Sequence, residues 1–309
     1  GGGTGGGIVS NPQDPRLGAV GGQAVLDGVM MRAEGRCAVS VRCPDGSIQT
    51  ELVLFQPLGK RHPILGLPLI RGFINFCQML ALGQRVLSIS VVLTDPEPEQ
   101  TASHVSERLF TAAVWIFAVV LSVGLFMLLP ASVVKLGGRL LPLDSVWLKN
   151  IVEGLVRICV LLTYLLLTSL MPDMRRTFEY HGAEHKSVAC YEAGEPLTPE
   201  NAARHTRFHP RCGTSFLFMM IFVGILFYSL PIFSWNSVWE RVLTKLLFFP
   251  VISGVGYEII RFSGRHPGNL LLRILTAPGL WLQHITTREP SLEQLEVAIT
   301  ALRNSLENQ

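Results

Sequence analysis

Charge is what this 309-residue chain has least of: Asp, Glu, Lys and Arg supply 16% of it, against about 25% in an ordinary soluble domain. The deficit is local, concentrated in long apolar runs, and hydrophobic residues reach 49% with a mean hydropathy of +0.38. That unevenness is the mark of a membrane protein. Basic excess is missing as well: the net charge is +3, and no basic stripe interleaved with aromatics points to nucleic acid. The six cysteines (Cys37, Cys43, Cys77, Cys159, Cys190, Cys212) contain no CxxC pair and outline no disulfide framework, so a reducing compartment is the simpler reading. Walker, Rossmann and kinase patterns are absent, and there is no internal repeat. The run Gly1 to Gly7 has neither a Met nor an apolar core. Residues 1–18 therefore read as a disordered linker or an incomplete gene start, not as a signal peptide.

What is present begins with a small soluble unit over 19–60. Two β-rich runs, Cys37 to Cys43 and Ile48 to Phe55, flank Pro44-Asp45-Gly46-Ser47, and Asp-Gly between such runs predicts a β-hairpin. Residues 64–94 follow, mostly apolar but with Arg71, Asn75, Gln78 and Arg85 on one helical stripe. An amphipathic helix on the interface, its arginines near headgroups, fits that stripe; a buried helix facing a polar cavity is the rival.

A membrane domain over 109–260 is expected to hold four spans. They are Phe110 to Leu129, Ile151 to Met171, Cys212 to Trp239 and Val242 to Ile260, each near the roughly 20 residues that cross about 30 Å of hydrocarbon. Glu153 and Arg157, four apart in the second, read as a structural ion pair. Four crossings return the chain to its starting side, so the N-terminal unit, the 172–211 loop and the 261–309 tail share one face. Lys and Arg number nine before the first span, six in the loop and five after the fourth. The opposite connections hold only Lys135, Arg139, Lys149, Arg241 and Lys245. The positive-inside rule makes the shared face cytoplasmic, with both termini there. In the tail, Leu270 to Ile285 is too interrupted for a fifth span. Ser291-Leu292-Glu293-Gln294 reads as a capping box opening a helix that docks by Leu292, Leu295, Ile299, Leu302 and Leu306. The fold class is thus mainly α: a polytopic helical membrane protein with a small N-terminal β element.

The loop carries His181-Gly182-Ala183-Glu184-His185. On a helix the two histidines stand one turn apart on one face, where two imidazoles can share a divalent ion, zinc above others. Glu184 lies between them in rotation, suited to act on water activated by that ion, and H-x-x-E-H is the inverted form of a zinc-peptidase motif. A third ligand is needed. His209 and Glu258 are favoured, with Cys212 close behind and His205, Glu179 and Glu192 weaker, and the sequence does not rank the first three firmly. Asp27, Arg32 and Arg211 are candidate supporting groups. A polar interfacial helix with a solvated face is the plainer account of three such positions. Four of the chain's eight histidines within 29 residues of one loop argue for metal instead.

Several stretches resemble the bacterial YqhQ-like membrane family. They are Gly21-Gly22-Gln23-Ala24-Val25, Gly28 to Arg32, Tyr180 to Lys186, His209-Pro210-Arg211-Cys212-Gly213-Thr214-Ser215-Phe216, and Ala277 to Pro290. The likeness runs from about residue 20 to 305. Asp27 departs from it, standing where the family pattern has Glu. The resemblance implies a multi-pass protein of the bacterial inner membrane, a family of unknown function described as predicted metal-dependent enzymes, and it supplies no substrate. The expected activity is that of a cytoplasm-facing metal-dependent hydrolase, peptidase-like or acting on lipid-linked esters or amides. The alternatives are a non-catalytic metal sensor or transporter and a membrane scaffold for cytoplasmic partners.

Overall fold

A computed structural model describes residues 16–307 apart from 34, 95–103, 139–144, 231–232, 234–235 and 267. Most of the glycine-rich start lies outside the described residues, but 16–18 form a turn in which the Gly18 N–H donates to Glu192 at 2.9 Å.

The expected hairpin is half of a four-stranded antiparallel sheet: β1 Gly21–Val25, β2 Gly28–Ala33, β3 Arg36–Arg42 and β4 Ile48–Leu54, in that order. Gly46 sits at φ +86° in the β3–β4 turn, and Asp27 at φ +51° closes β1 onto β2. β2 and β3 are buried on both faces, so they lack the alternation of a half-exposed strand. Val29, Met31 and Ala33 pack with the loop helix and the tail helix, whereas Met30, Cys37, Val39 and Val41 pack with Leu82 and Val86.

The principal helices are α1 Ile70–Thr94, α2 His104–Val123 (running on through a π-turn at Gly124–Leu128 into Leu129–Gly137), α3 Val146–Ser169, α4 Pro172–Glu192, α5 Gly213–Tyr228, α6 Val238–Arg265, α7 Leu270–Thr286 and α8 Leu292–Leu306. Among the described residues, four are long and apolar enough to cross a membrane: α1, the α2 run over Leu109–Gly137, α3 and α6. The chain is a polytopic helical membrane protein.

Candidate spans among the described residues number four, as expected, but their membership differs. Helix α5 has only 16 residues, roughly 24 Å at 1.5 Å each, because the charge-free run is cut after Tyr228. Ser229 caps it, its N–H bonding back to the Ile225 and Leu226 carbonyls. Helix α1 has the length and apolarity of a span, yet part of its surface is covered by protein: Met79, Leu82, Val86, Ile89 and Leu93 pack on the sheet. Three residues of its polar stripe bond within the protein, and Arg85 is exposed. Arg71 grips Glu258 of α6 through two bonds of 2.6 and 2.5 Å, Asn75 donates to the Tyr257 hydroxyl at 3.0 Å, and Gln78 bonds residues 56 and 58. Gly72 and Gly254 allow this crossing, since a Cβ on Gly72 would lie 2.8 Å from the Gly254 Cα.

The Glu153–Arg157 pair forms at 2.8 Å, and Arg241 and Lys245 of α6 join it inside the bundle. The stretch read as interrupted, 270–285, is one continuous 17-residue helix that accommodates Pro278. The capping box of α8 is present with both reciprocal bonds, and Leu295, Ile299 and Leu302 are buried; Leu292 is exposed.

Candidate metal centre

Helix α4 starts on Pro172 with Asp173 in its first turn, both suited to a helix N-terminus. Its middle is polar and yet buried: Glu184, His185, Lys186 and Ser187 are all enclosed. The sheet covers one side and residues 286–290 cover another, where the Arg288 N–H donates to the Phe178 carbonyl at 2.8 Å. Gly182 makes this approach feasible, because any Cβ there would overlap the Arg288 carbonyl.

Within that enclosure each histidine is oriented by a backbone carbonyl. Nδ1 of His181 lies 2.8 Å from the Thr286 oxygen, and Nδ1 of His185 lies 2.6 Å from the Arg207 oxygen. A carbonyl only accepts, so Nδ1 carries the proton in each neutral ring and Nε2 presents its lone pair. The rings stand 4.4 Å apart between centroids. Cys212, the N-cap residue of α5, brings its Sγ to 3.2 Å from His181 Nε2. Ligand atoms of His181, His185 and Cys212 all lie within 4.8 Å of one another. Tetrahedral zinc with bonds of about 2.1 Å to nitrogen and 2.3 Å to sulfur sets its ligand atoms roughly 3.5 Å apart. The three residues fit that requirement with small side-chain adjustments, and two imidazoles with one thiolate is a donor set zinc accepts.

Glu184 lies beside this group and not within it. Its carboxylate accepts from the Gly22 N–H, and β1 is so close that a Cβ on Gly22 would fall 2.8 Å from Glu184 Cγ. Burial pushes its carboxyl up to about 7, against opposing pulls from His181 and the Gly22 N–H.

His209 adjoins the triad, its ring 5.6 Å from that of His185, but its Nε2 faces Glu192 at 3.7 Å. Burial lowers its pKa, only partly offset by the hydrogen bond to Glu192. Glu192 also pairs with Arg211. Burial would raise the Glu192 pKa, but the hydrogen bond with His209 and the charge of Arg211 outweigh it and bring it below the usual carboxylate range.

Glu258 is not delivered to the histidines: both its oxygens are held by Arg71. Asp27 pairs with Arg176 at 2.5 Å, and Arg32 lies over the Phe55 ring, so neither supports the centre. Glu179 accepts from Gln294 at 2.9 Å. His205 pairs with Glu195 at 3.2 Å in a separate group with Cys190.

Three partners carried no readable signal. The carbonyls of Thr286 and Arg207 belong to the backbone and leave no residue signature. Gln283, fully buried, accepts from the His209 N–H and donates to the His209 carbonyl, each at 2.8 Å. It fixes the 204–212 turn that brings Cys212 to His181, and nothing in its local sequence distinguishes it from a helix-surface glutamine.

A family model described as "Protein of unknown function (DUF1385)" matches residues 67–308. The chain belongs to the DUF1385 family. It is also 33% identical over 301 residues to "Uncharacterized protein YqhQ" of Bacillus subtilis (strain 168), covering 93% of this chain and 92% of that one. No solved structure gives a significant match. The match to the DUF1385 model spans all three converging residues and Glu184, and the family description names no activity.

Proposed function

We propose that this chain is a membrane-anchored, metal-dependent hydrolase. His181, His185 and Cys212 hold the ion, zinc by donor set, and Glu184 acts as general base. The observation that carries this reading is the pair of imidazoles, each with Nδ1 tied to a carbonyl, beside one thiol, with ligand atoms of all three within 4.8 Å of one another. Carbonyl-anchored imidazoles are the usual outer arrangement of metal-ligating histidines. A divalent ion supplies Lewis acidity there, polarising a substrate carbonyl or activating water. Glu184 takes the proton from water at its carboxylate, and a pKa near 7 suits a base at neutral pH. Three protein donors would leave a bound ion open to substrate or water. The sheet, α4 and α8 pack together and so share one face, and the Lys and Arg carried by these parts support the cytoplasmic side of a bacterial inner membrane, where amide or ester bonds of membrane-proximal proteins or lipid-linked molecules are the substrates within reach.

Cobalt(II) substitution tests the ligand set. A thiolate-to-cobalt charge-transfer band in the near ultraviolet is expected, lost in Cys212→Ser and in His185→Ala. A cobalt spectrum unchanged by Cys212→Ser would contradict the assignment.

The 3.2 Å approach of Sγ to His181 Nε2 also favours a second reading, a cysteine nucleophile with His181 as its base. The two separate on His185→Ala, which abolishes a metal centre but spares alkylation of Cys212 by iodoacetamide.

A further inference from the structure

An open cleft of about 470 Å³ is lined in part by Ile285, Thr287, Arg288 and Glu289, in and beside the segment that covers α4. It sits where the last turn of α3 (Leu166, Ser169) meets the last turn of α7 (His284, Ile285) and the start of α4. Arg175, Arg207 and Arg288 line it together with Glu179 and Glu289. Both acids have partners apart from those arginines: Glu179 accepts from Gln294, and Glu289 pairs with Lys186. Arg175 is 64% exposed and pairs with Glu179 only at 3.8 Å, and Arg207 donates to the Thr287 carbonyl and pairs with Glu289 only at 3.9 Å, so both ion pairs are long. Arg288 reaches the Ser169 carbonyl only at 3.4 Å, and its buried Nε finds no acceptor among the described residues.

Apolar surface adjoins the cleft. Leu166 lines it, and Leu167, Leu170 and Met171 next along the chain are exposed, as is Trp281 one turn before His284 on α7. Helix α3 is long and apolar enough to cross a membrane, and the cleft lies at its last turn, where a span meets the headgroups. Arginines beside apolar surface at that level have the chemistry of one kind of ligand, an amphiphile with an anionic head.

We propose that this cleft binds the phosphate-bearing headgroup of an anionic membrane lipid, with the arginines on the phosphate and the acyl chains along Leu166, Leu170 and Trp281. Arg207 contributes its side chain to the cleft and its carbonyl to His185, and Thr287 lines the cleft next to the Thr286 carbonyl that holds His181. A lipid seated there lies beside the histidine centre. The assignment does not depend on that centre holding metal.

The test is native mass spectrometry of the delipidated full chain in neutral detergent, titrated with phosphatidylglycerol, with phosphatidylcholine, and with inorganic phosphate. One phosphatidylglycerol is expected to bind in preference to phosphatidylcholine. Arg175→Gln, at an exposed residue whose loss leaves the core intact, should weaken it about fivefold, and Arg175→Gln with Arg288→Gln about 25-fold. Inorganic phosphate should not displace the lipid at equal concentration. Equal affinity for the two lipids, unchanged affinity in both variants, or displacement by inorganic phosphate at equal concentration would each overturn the proposal.

Discussion

Replacing Glu184 by Gln is expected to do two opposite things: to slow hydrolysis at least about 100-fold with the metal retained, and to stabilise the chelator-stripped protein at pH 8. Glutamine keeps an oxygen for the Gly22 N–H but accepts no proton from water, which is the reason for the loss of turnover. The gain in stability follows from burial. The carboxyl has an ordinary value of 4.5 and is pushed up to about 7 in the fold. Folding must therefore keep the proton on, or enclose the charge, at a cost of about 3 kcal/mol above pH 7. The cost shrinks as pH falls from 7 towards 4.5 and is absent below that. Glutamine has no charge to enclose, so its advantage should be largest at pH 8 and gone near pH 4.5. Thermal unfolding in detergent at the two pH values measures it. A gain of equal size at both would mean that Glu184 ionises without penalty and is no tuned base.

The second large effect is expected from the smallest change, Gly182→Ala. The added methyl meets the Arg288 carbonyl, which is backbone and cannot turn aside as a flexible side chain could. Residues 286–290 must move off α4, at about 1–3 kcal/mol for overpacking. They take with them the Thr286 carbonyl that orients His181. Loss of such an outer partner typically weakens metal binding about 10- to 100-fold. Competition titration with a zinc chelator should show that drop. Gly137→Ala serves as the control, because a Cβ there meets nothing within 4 Å. Wild-type affinity in Gly182→Ala would show that the Thr286 contact does not shape the centre.

How far the sequence could be read depended on whether the information was local. The i, i+4 spacing of His181 and His185, the Asp-Gly turn at 45–46 and the Ser291–Gln294 box are each contained within a few residues, and each appears in the fold. The β1–β2 pair was hidden because Gly21 and Gly22 have poor strand propensity and because β2 shows no alternation when covered on both faces. The third ligand was open for a different reason. His209 and Cys212 both precede α5, and distant contacts hold His209 aside: Gln283, 74 residues away in the chain, bonds its backbone, and Glu192 faces its ring. Glu258 looked available because its partner Arg71 stands 187 positions earlier, on a helix read as lying at headgroup level. The arginine cleft was equally hidden, since α3, α4, α7 and two loops each supply part of it.

The most direct test of the metal centre is the metal content of detergent-purified protein by plasma mass spectrometry. Wild type would be compared with a His181→Ala, His185→Ala double variant, both prepared without chelators and with zinc supplied. About one zinc per chain in wild type and none in the variant is the expected result. No metal in wild type, or the same metal in both, would contradict the account and leave α4 as a buried polar helix.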